Sequence, residues 1–296
     1  MPQPRELRRR IKSVQSTRKI TKTMELVATS KLKRAQDRVV AARSYAAALA
    51  EVIGDLYAPD LAERFPLLRQ AAGGRGPRRV ALVVITANRG LCGAFNANLI
   101  REARRRIEQF ETAGTAVDLH LIGKKGITYF RFAKRPAASQ RIDIGDKPTA
   151  EHASQVVDPL MAQFESGAVD AVEVVFAQFK SAVSTPPTTL RILPIAPPRA
   201  AEGGRGRQRA ANYILKPSAD AILEQLLPLY VRNQVYRALV ETAAAFLGAQ
   251  RTAMKNATDN AGDILDILRR TYNRARQAQI TQELAEIVGG AEALKG

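Results

Sequence analysis

Apolar residues open this chain in steps that alternate fours and threes. Leu7, Ile11, Val14, Arg18, Thr21, Glu25, Ala28, Leu32, Ala35, Val39, Ala42, Ala46, Leu49, Ile53 and Leu56 keep that step without a slip. Such a heptad seam predicts one continuous helix that needs a partner along its length. Near the other end Val235, Leu239, Thr242, Phe246, Ala249 and Ala253 repeat the step, and Ile264, Leu268, Thr271, Ala275 and Ala278 resume it. The gap between those runs is a heptad plus four, a stutter that unwinds a supercoil locally without breaking the helix. At about 1.5 Å per residue the first helix would be roughly 80 Å long and the last, from Ser218 to Val288, roughly 100 Å. Neither rod can cover its own apolar stripe, so the expected arrangement is an antiparallel coiled coil of the two ends. Alanine is frequent on both seams, which suits the close approach of two slim helices.

Between the rods the pattern changes to short apolar runs separated by turn residues. Val80–Ile85 reads as a strand covered on both faces, Asn96–Phe110 as a helix, Val117–Ile122 as a strand and Lys124–Phe132 as a short helix. Gln140–Ile144 follows as a weak strand, then a helix opened by Thr149 and running to Glu165, with His152 a poor partner for a capping box. Val172–Phe179 and Thr189–Ile195 close the sheet. The fold class is therefore α/β plus coiled coil, with a small three-layer domain of about five strands inserted between the terminal helices. The expected organisation is a first coiled-coil helix over 1–56, a Pro- and Gly-containing linker over 57–79 and an α/β domain over 80–196. A mobile basic loop with a short extended piece then covers 197–217, and the second coiled-coil helix 218–296. Pro228 predicts a kink or a short first segment in that last helix.

Composition and charge narrow the partner. Aromatic content is only 5% and Trp is absent, as expected of long Ala- and Leu-lined helices. A single cysteine, Cys92, excludes an internal disulfide and fits a reducing compartment. No run of about 18 apolar residues exists, so no membrane span is expected. The charged start leaves no room for a cleaved targeting segment. The formal charge of +18 is unevenly spread: residues 1–43 hold thirteen Lys or Arg against three Asp or Glu, whereas 219–296 hold nine of each. A basic rod can be a solvated face, a nucleic-acid arm or a shaft inside an acidic protein cavity. Tyr45 is the sole aromatic in the basic helix, so stacking platforms for nucleic acid are missing.

Catalytic signatures are sparse. Thr86-Ala87-Asn88-Arg89-Gly90-Leu91-Cys92-Gly93 lies between a strand and a helix, where a doubly wound sheet holds its ligands, but it has neither the G-x-x-x-x-G-K-[ST] nor the G-x-G-x-x-G order. A structural turn is the better reading, with an anion or nucleotide site as the alternative. Cys92 would need a base, and the two histidines, His120 and His152, sit in a strand and a helix start. No metal-ligand spacing or carboxylate couple is present, so neither cofactor nor metal is expected. The chain reads as non-enzymatic on its own.

Four blocks carry a resemblance. Ile11 to Ala28 (IKSVQSTRKITKTMELVA), Arg89 to Gly93 (RGLCG), Met254 to Ala261 (MKNATDNA) and Tyr272 to Val288 (YNRARQAQITQELAEIV) resemble the gamma subunit of the rotary F-type ATP synthase, in order and over nearly the whole length. The resemblance implies a non-catalytic central shaft: terminal helices standing inside a ring of alternating alpha and beta subunits, with the α/β domain at the membrane-side foot. Ion flow would turn the membrane c-ring and the foot, and the asymmetric shaft would drive the beta sites through their nucleotide states. Further implied partners are the epsilon subunit and the acidic loops of the ring, with no nucleic acid and a peripheral location on the cytoplasmic side of a bacterial inner membrane. By motif match, Lys22 and Met24 with Arg251 would meet an acidic beta loop. Arg276, Gln277 and Thr281 would meet the beta catch region, with Glu283 beside them. Tyr213 and Lys216 would face the membrane ring. There Leu215 and Lys216 replace a tyrosine and an acid common in the family. A single cysteine rules out the dithiol switch of the chloroplast form.

Overall fold

The computed structural model describes residues 3–56, 64–69, 76–195 and 219–293. It divides into two compact units, Thr29–Gln250 and the pair Met1–Ala28 with Arg251–Gly296. The long helices α1 (Pro4–Leu56) and α5 (Ala219–Ala293) each contribute to both.

The larger unit is built on a five-stranded mixed sheet. Its strands are β1 (Arg79–Ile85), β2 (Ala116–Ile122), β3 (Ser139–Arg141), β4 (Ala171–Ala177) and β5 (Pro187–Leu193), in the order β3-β2-β1-β4-β5. β1 pairs in parallel with β2 and β4, and β2 with β3, while β5 runs antiparallel to β4. The connecting helices are α2 (Phe95–Thr112), α3 (Lys124–Phe132) and α4 (Ala150–Glu165). Because β1 and β4 lie in the middle, nearly every residue of both is buried, which is why they read as unbroken apolar runs rather than alternations.

Two clusters sandwich the sheet. Ala81, Val83 and Ile85 of β1 join Val157, Leu160 and Phe164 of α4 and Leu223, Leu227, Val231 and Val235 of α5. Leu82 and Val84 face the opposite cluster, with Leu99, Ala103 and Ile107 of α2, Phe130 of α3, Leu32, Ala35 and Val39 of α1, and Ala244, Phe246 and Leu247 of α5. Each Val, Leu, Ile or Phe among them contributes about 1.5–3 kcal/mol on burial. The terminal helices thus belong to the core of this unit.

Several local expectations change. α5 continues as helix through Pro228. The hydrogen bond that proline removes is outweighed by the burial of Leu223, Leu227 and Val231 on either side. Thr149 caps α4, and its box is closed by histidine: the Thr149 hydroxyl accepts from the His152 amide at 3.3 Å and His152 Nδ1 accepts from the Thr149 amide at 3.1 Å. A neutral imidazole nitrogen offers the acceptor that Glu or Gln usually supplies. β3 stops at Arg141, short of the expected Ile144, and Ile142 is exposed.

In the smaller unit the start of α1 runs antiparallel to the end of α5. Thr258 Oγ1 lies 2.8 Å from Thr21 Oγ1, and the Arg18 guanidinium packs against Gly262. Leu7, Thr21 and Ala28 are buried on α1, with Met254, Thr258, Ala261, Leu265 and Ala275 on α5. The α5 seam sits one residue later than Ala253 and Ile264 would place it: Leu265 is 2% exposed and Ile264 47%. One residue is about 100° of helix rotation, enough to move Ile264 off the contact.

Candidate coupling surface

Seven of the nine positions singled out in the sequence fall in the smaller unit, and Tyr213 and Lys216 lie outside the described residues. Lys22 projects from α1 and holds Glu25 at 3.1 Å. Met24 on α1 and Arg251 on α5 are half-buried. Arg276, Gln277, Thr281 and Glu283 follow Ala275, the last buried residue of α5, and from there to residue 291 every side chain is exposed. Among the described residues the bonds to these groups are local: the Thr281 hydroxyl donates to the Gln277 carbonyl at 3.0 Å, and Gln279 Nε2 donates to Glu283 at 2.8 Å. The stretch is a single helix whose polar groups are free to meet something outside.

This end also carries an apolar stripe that the polar positions had overshadowed. Ile280, Leu284, Ile287 and Val288 are spaced by four, three and one residues, and all are 48–67% exposed. Spacing of that kind puts them on one helix face. That spacing is legible in the sequence and lies beyond the heptad seam, which ends at Ala278, itself exposed. On α1 of the same unit Ile20, Leu26 and Val27 are likewise half exposed or more. A basic surface interrupted by unsheltered apolar groups marks an interaction site.

The loop at Thr86–Gly93 is braced from within. Buried Thr86 accepts from the Gly126 amide at 2.9 Å, and its own hydroxyl lies 3.0 Å from the Ile122 carbonyl. Asn96 accepts from the Ala87 amide. The Asn88 amide group donates to the Ile142 and Ile144 carbonyls at 2.9 and 3.0 Å, while its oxygen accepts from the Lys124 amide at 2.9 Å. Arg89 pairs with Asp146 and lies over the Phe246 ring of α5. The space left beside the loop is ≈ 40 Å³, against several hundred for an ordinary small-molecule site. These groups make a rigid turn. Cys92 is buried beside Asn96; burial pushes its thiol up, against weaker opposing pulls from the Asn96 contact and Lys125, so it is held as a thiol rather than a nucleophilic thiolate. His120 is kept neutral by burial, Nδ1 lying 2.8 Å from the Ser139 hydroxyl.

The comparisons agree with this anatomy. The family described as ATP synthase matches residues 3–294. An ATP synthase gamma chain of Gemmatimonas aurantiaca is 62% identical over the full length of both chains, and one of Moorella thermoacetica 43% identical, also over the full length of both. Among solved structures, a chain of the Euglena gracilis mitochondrial ATP synthase in rotational state 3 matches with a TM-score of 0.67 over 98% of this chain and 94% of its own, at 19% identity, a likeness of fold. No helix among the described residues is long and apolar enough to cross a membrane. The chain belongs to the ATP synthase gamma chain family, the non-catalytic central-stalk subunit of that complex.

Proposed function

We propose that the exposed end of α5, with Lys22 and Met24 of α1 and Arg251 of α5, is the surface on which this shaft meets the beta subunits of a surrounding alpha–beta ring. The observation that supports it is the unpartnered helix after Ala275, whose apolar stripe and neighbouring polar groups are all open to an enclosing sleeve. Arg276 and Gln277 would hydrogen-bond a beta catch loop, Thr281 and Glu283 would flank that contact, and Lys22 would attract an acidic loop. Because one face of that helix is polar and another apolar, three equivalent beta subunits cannot meet it identically at once. Each orientation of the shaft then favours a different set of beta conformations, and turning it redistributes them. None of these residues performs bond chemistry. The other partners are the epsilon subunit and the membrane c-ring, reached through the segment that holds Tyr213 and Lys216. The resulting location is peripheral, on the cytoplasmic face of a bacterial inner membrane.

Reconstitution with the cognate alpha and beta subunits tests the reading. The expected complex has one copy of this chain per three alpha–beta pairs and hydrolyses ATP. Combining Arg276→Ala with Gln277→Ala should leave assembly intact and reduce hydrolysis or torque about threefold to tenfold, the loss expected on removing a few interfacial hydrogen bonds. Wild-type torque from the double variant would remove these two residues from the contact.

A further inference from the structure

A central stalk must pass torque between its sheet domain and its long helices, and an apolar interface alone is a poor joint. Hydrophobic contact is non-directional, so it resists sliding or rolling of helices against a sheet only through the fit of the packed side chains. Directed bonds to backbone resist both motions.

The larger unit contains such a set at the β4–β5 turn. Glu241 of α5 has no exposed surface, yet it is a carboxylate, held by Arg43 Nε at 3.0 Å, Arg43 Nη2 at 2.9 Å and Arg237 Nε at 3.0 Å. Its Oε2 also accepts the backbone N–H of Phe179 at 3.0 Å, while Arg43 Nη2 donates to the Phe179 carbonyl at 2.6 Å. One residue of the turn is therefore gripped through both its amide and its carbonyl by α5 and α1 together. Thr242, the next residue of α5, accepts the Ala177 amide at 3.3 Å and donates to its own helix at Ala238. Seven residues beyond Glu241 on α5, Gly248 lies against the far side of the same turn: a Cβ there would come within 3.1 Å of the Ala182 carbonyl oxygen and 3.3 Å of its Cα. The turn is thus fixed at two points about 10 Å apart along one helix.

We propose that this knot is the torque joint of the shaft, with Glu241 and Arg43 as its positioning residues and Gly248 as its second seat. A further polar link between α5 and the sheet layers, Arg232 to Asp158 at 2.8 Å, is about 40% exposed on both partners and is worth little at a wet surface. A buried charge gripped by four hydrogen bonds is the stiff element, because displacing the turn would strand that charge. The inference rests on the central-stalk role and does not depend on which residues meet the ring.

The test uses the reconstituted complex anchored through its ring. A bead is tied to a cysteine placed either at Glu108→Cys on exposed α2, reporting the sheet, or at Arg34→Cys on α1, reporting the helix pair. Rotational fluctuation is recorded during catalytic pauses. With Arg43→Lys, which keeps a charge at a site already 39% exposed but loses the fork, the variance from the α2 bead should rise about twofold. The α1 bead and the ATP hydrolysis rate should not change. Glu241→Gln should act in the same direction and more strongly, and Gly248→Ala, which lifts the turn from its second seat, provides an independent variant. Equal variance from the α2 bead in assembled Arg43→Lys and Gly248→Ala complexes would overturn the proposal. So would a rise of the same size at both bead positions, which would place the softness in the helices. A ring-contact surface located elsewhere would alter hydrolysis and leave this comparison intact.

Discussion

At Gly123 the backbone closes so tightly on Thr86 that a Cβ would sit 2.1 Å from the Thr86 carbonyl oxygen, at a φ of +97°. Gly123→Ala should therefore destabilise the sheet unit by about 3 kcal/mol or more, combining left-handed strain with overpacking, and chemical denaturation will measure it. Acid sensitivity also resolves to single residues. Burial pushes the Glu241 carboxyl up, but hydrogen bonds from Arg43 and Arg237 outweigh it and leave the group below the ordinary glutamate range. The unfolded chain therefore takes up this proton first as pH falls. The stabilisation is complete above the ordinary glutamate value of about 4.3 and drains away as pH drops through the depressed folded value. His120 works in a higher window. Burial lowers its pKa against a weaker opposing pull from Asp118, so the folded form resists protonation while the unfolded chain accepts it below about pH 6.5. Urea midpoints should fall from pH 7 to pH 5 less in His120→Gln than in the parent, and from pH 5 to pH 3 less steeply in Glu241→Gln.

Among the elements, the two long helices differ in how plainly their residues announce the contact. On α1 the large aliphatics Leu32, Val39, Leu49 and Ile53 leave one possible register, and all four are buried as the heptads require. On α5 the run Ala253, Ala257, Ala261 offers small side chains at neighbouring positions, so hydropathy does not separate a seam through Ala253 from one through Met254. The choice is made by what α1 presents, including the Thr21 hydroxyl that Thr258 meets. Thr258→Val should cost about 1 kcal/mol by leaving that hydroxyl to weaker partners, and Thr21→Val together with Thr258→Val should recover part of the loss. A double-mutant cycle on thermal unfolding reads the coupling directly. The helix through Pro228 and the histidine-closed cap at Thr149 were hidden for a related reason: each breaks a local preference that tertiary packing or a tautomer overrides. The polar positions proposed to meet the ring have no periodicity at all. Arg276 and Gln277 became legible only through the block in which they sit, whereas the apolar stripe from Ile280 to Val288 could have been read from spacing alone.

At the scale of the whole molecule, the β4–β5 turn, the sheet and the middle of both long helices share buried side chains, whereas α5 beyond Ala275 shares none. A chain ended after Ala275 should keep the thermal midpoint of the full chain within about 2 °C, since removing exposed residues changes little buried area, and should bind the alpha–beta ring more weakly. Native mass spectrometry and calorimetry on the same preparation separate the two effects. The exposed end has one more consequence. A helix of this length with no tertiary contact is marginal in water, so its backbone amides in the lone chain should trade hydrogen for deuterium within seconds, while those around Val240 hold for hours. Closing the ring should silence that fast exchange, which makes the stretch beyond Ala275 a built-in gauge of whether the shaft has been sheathed.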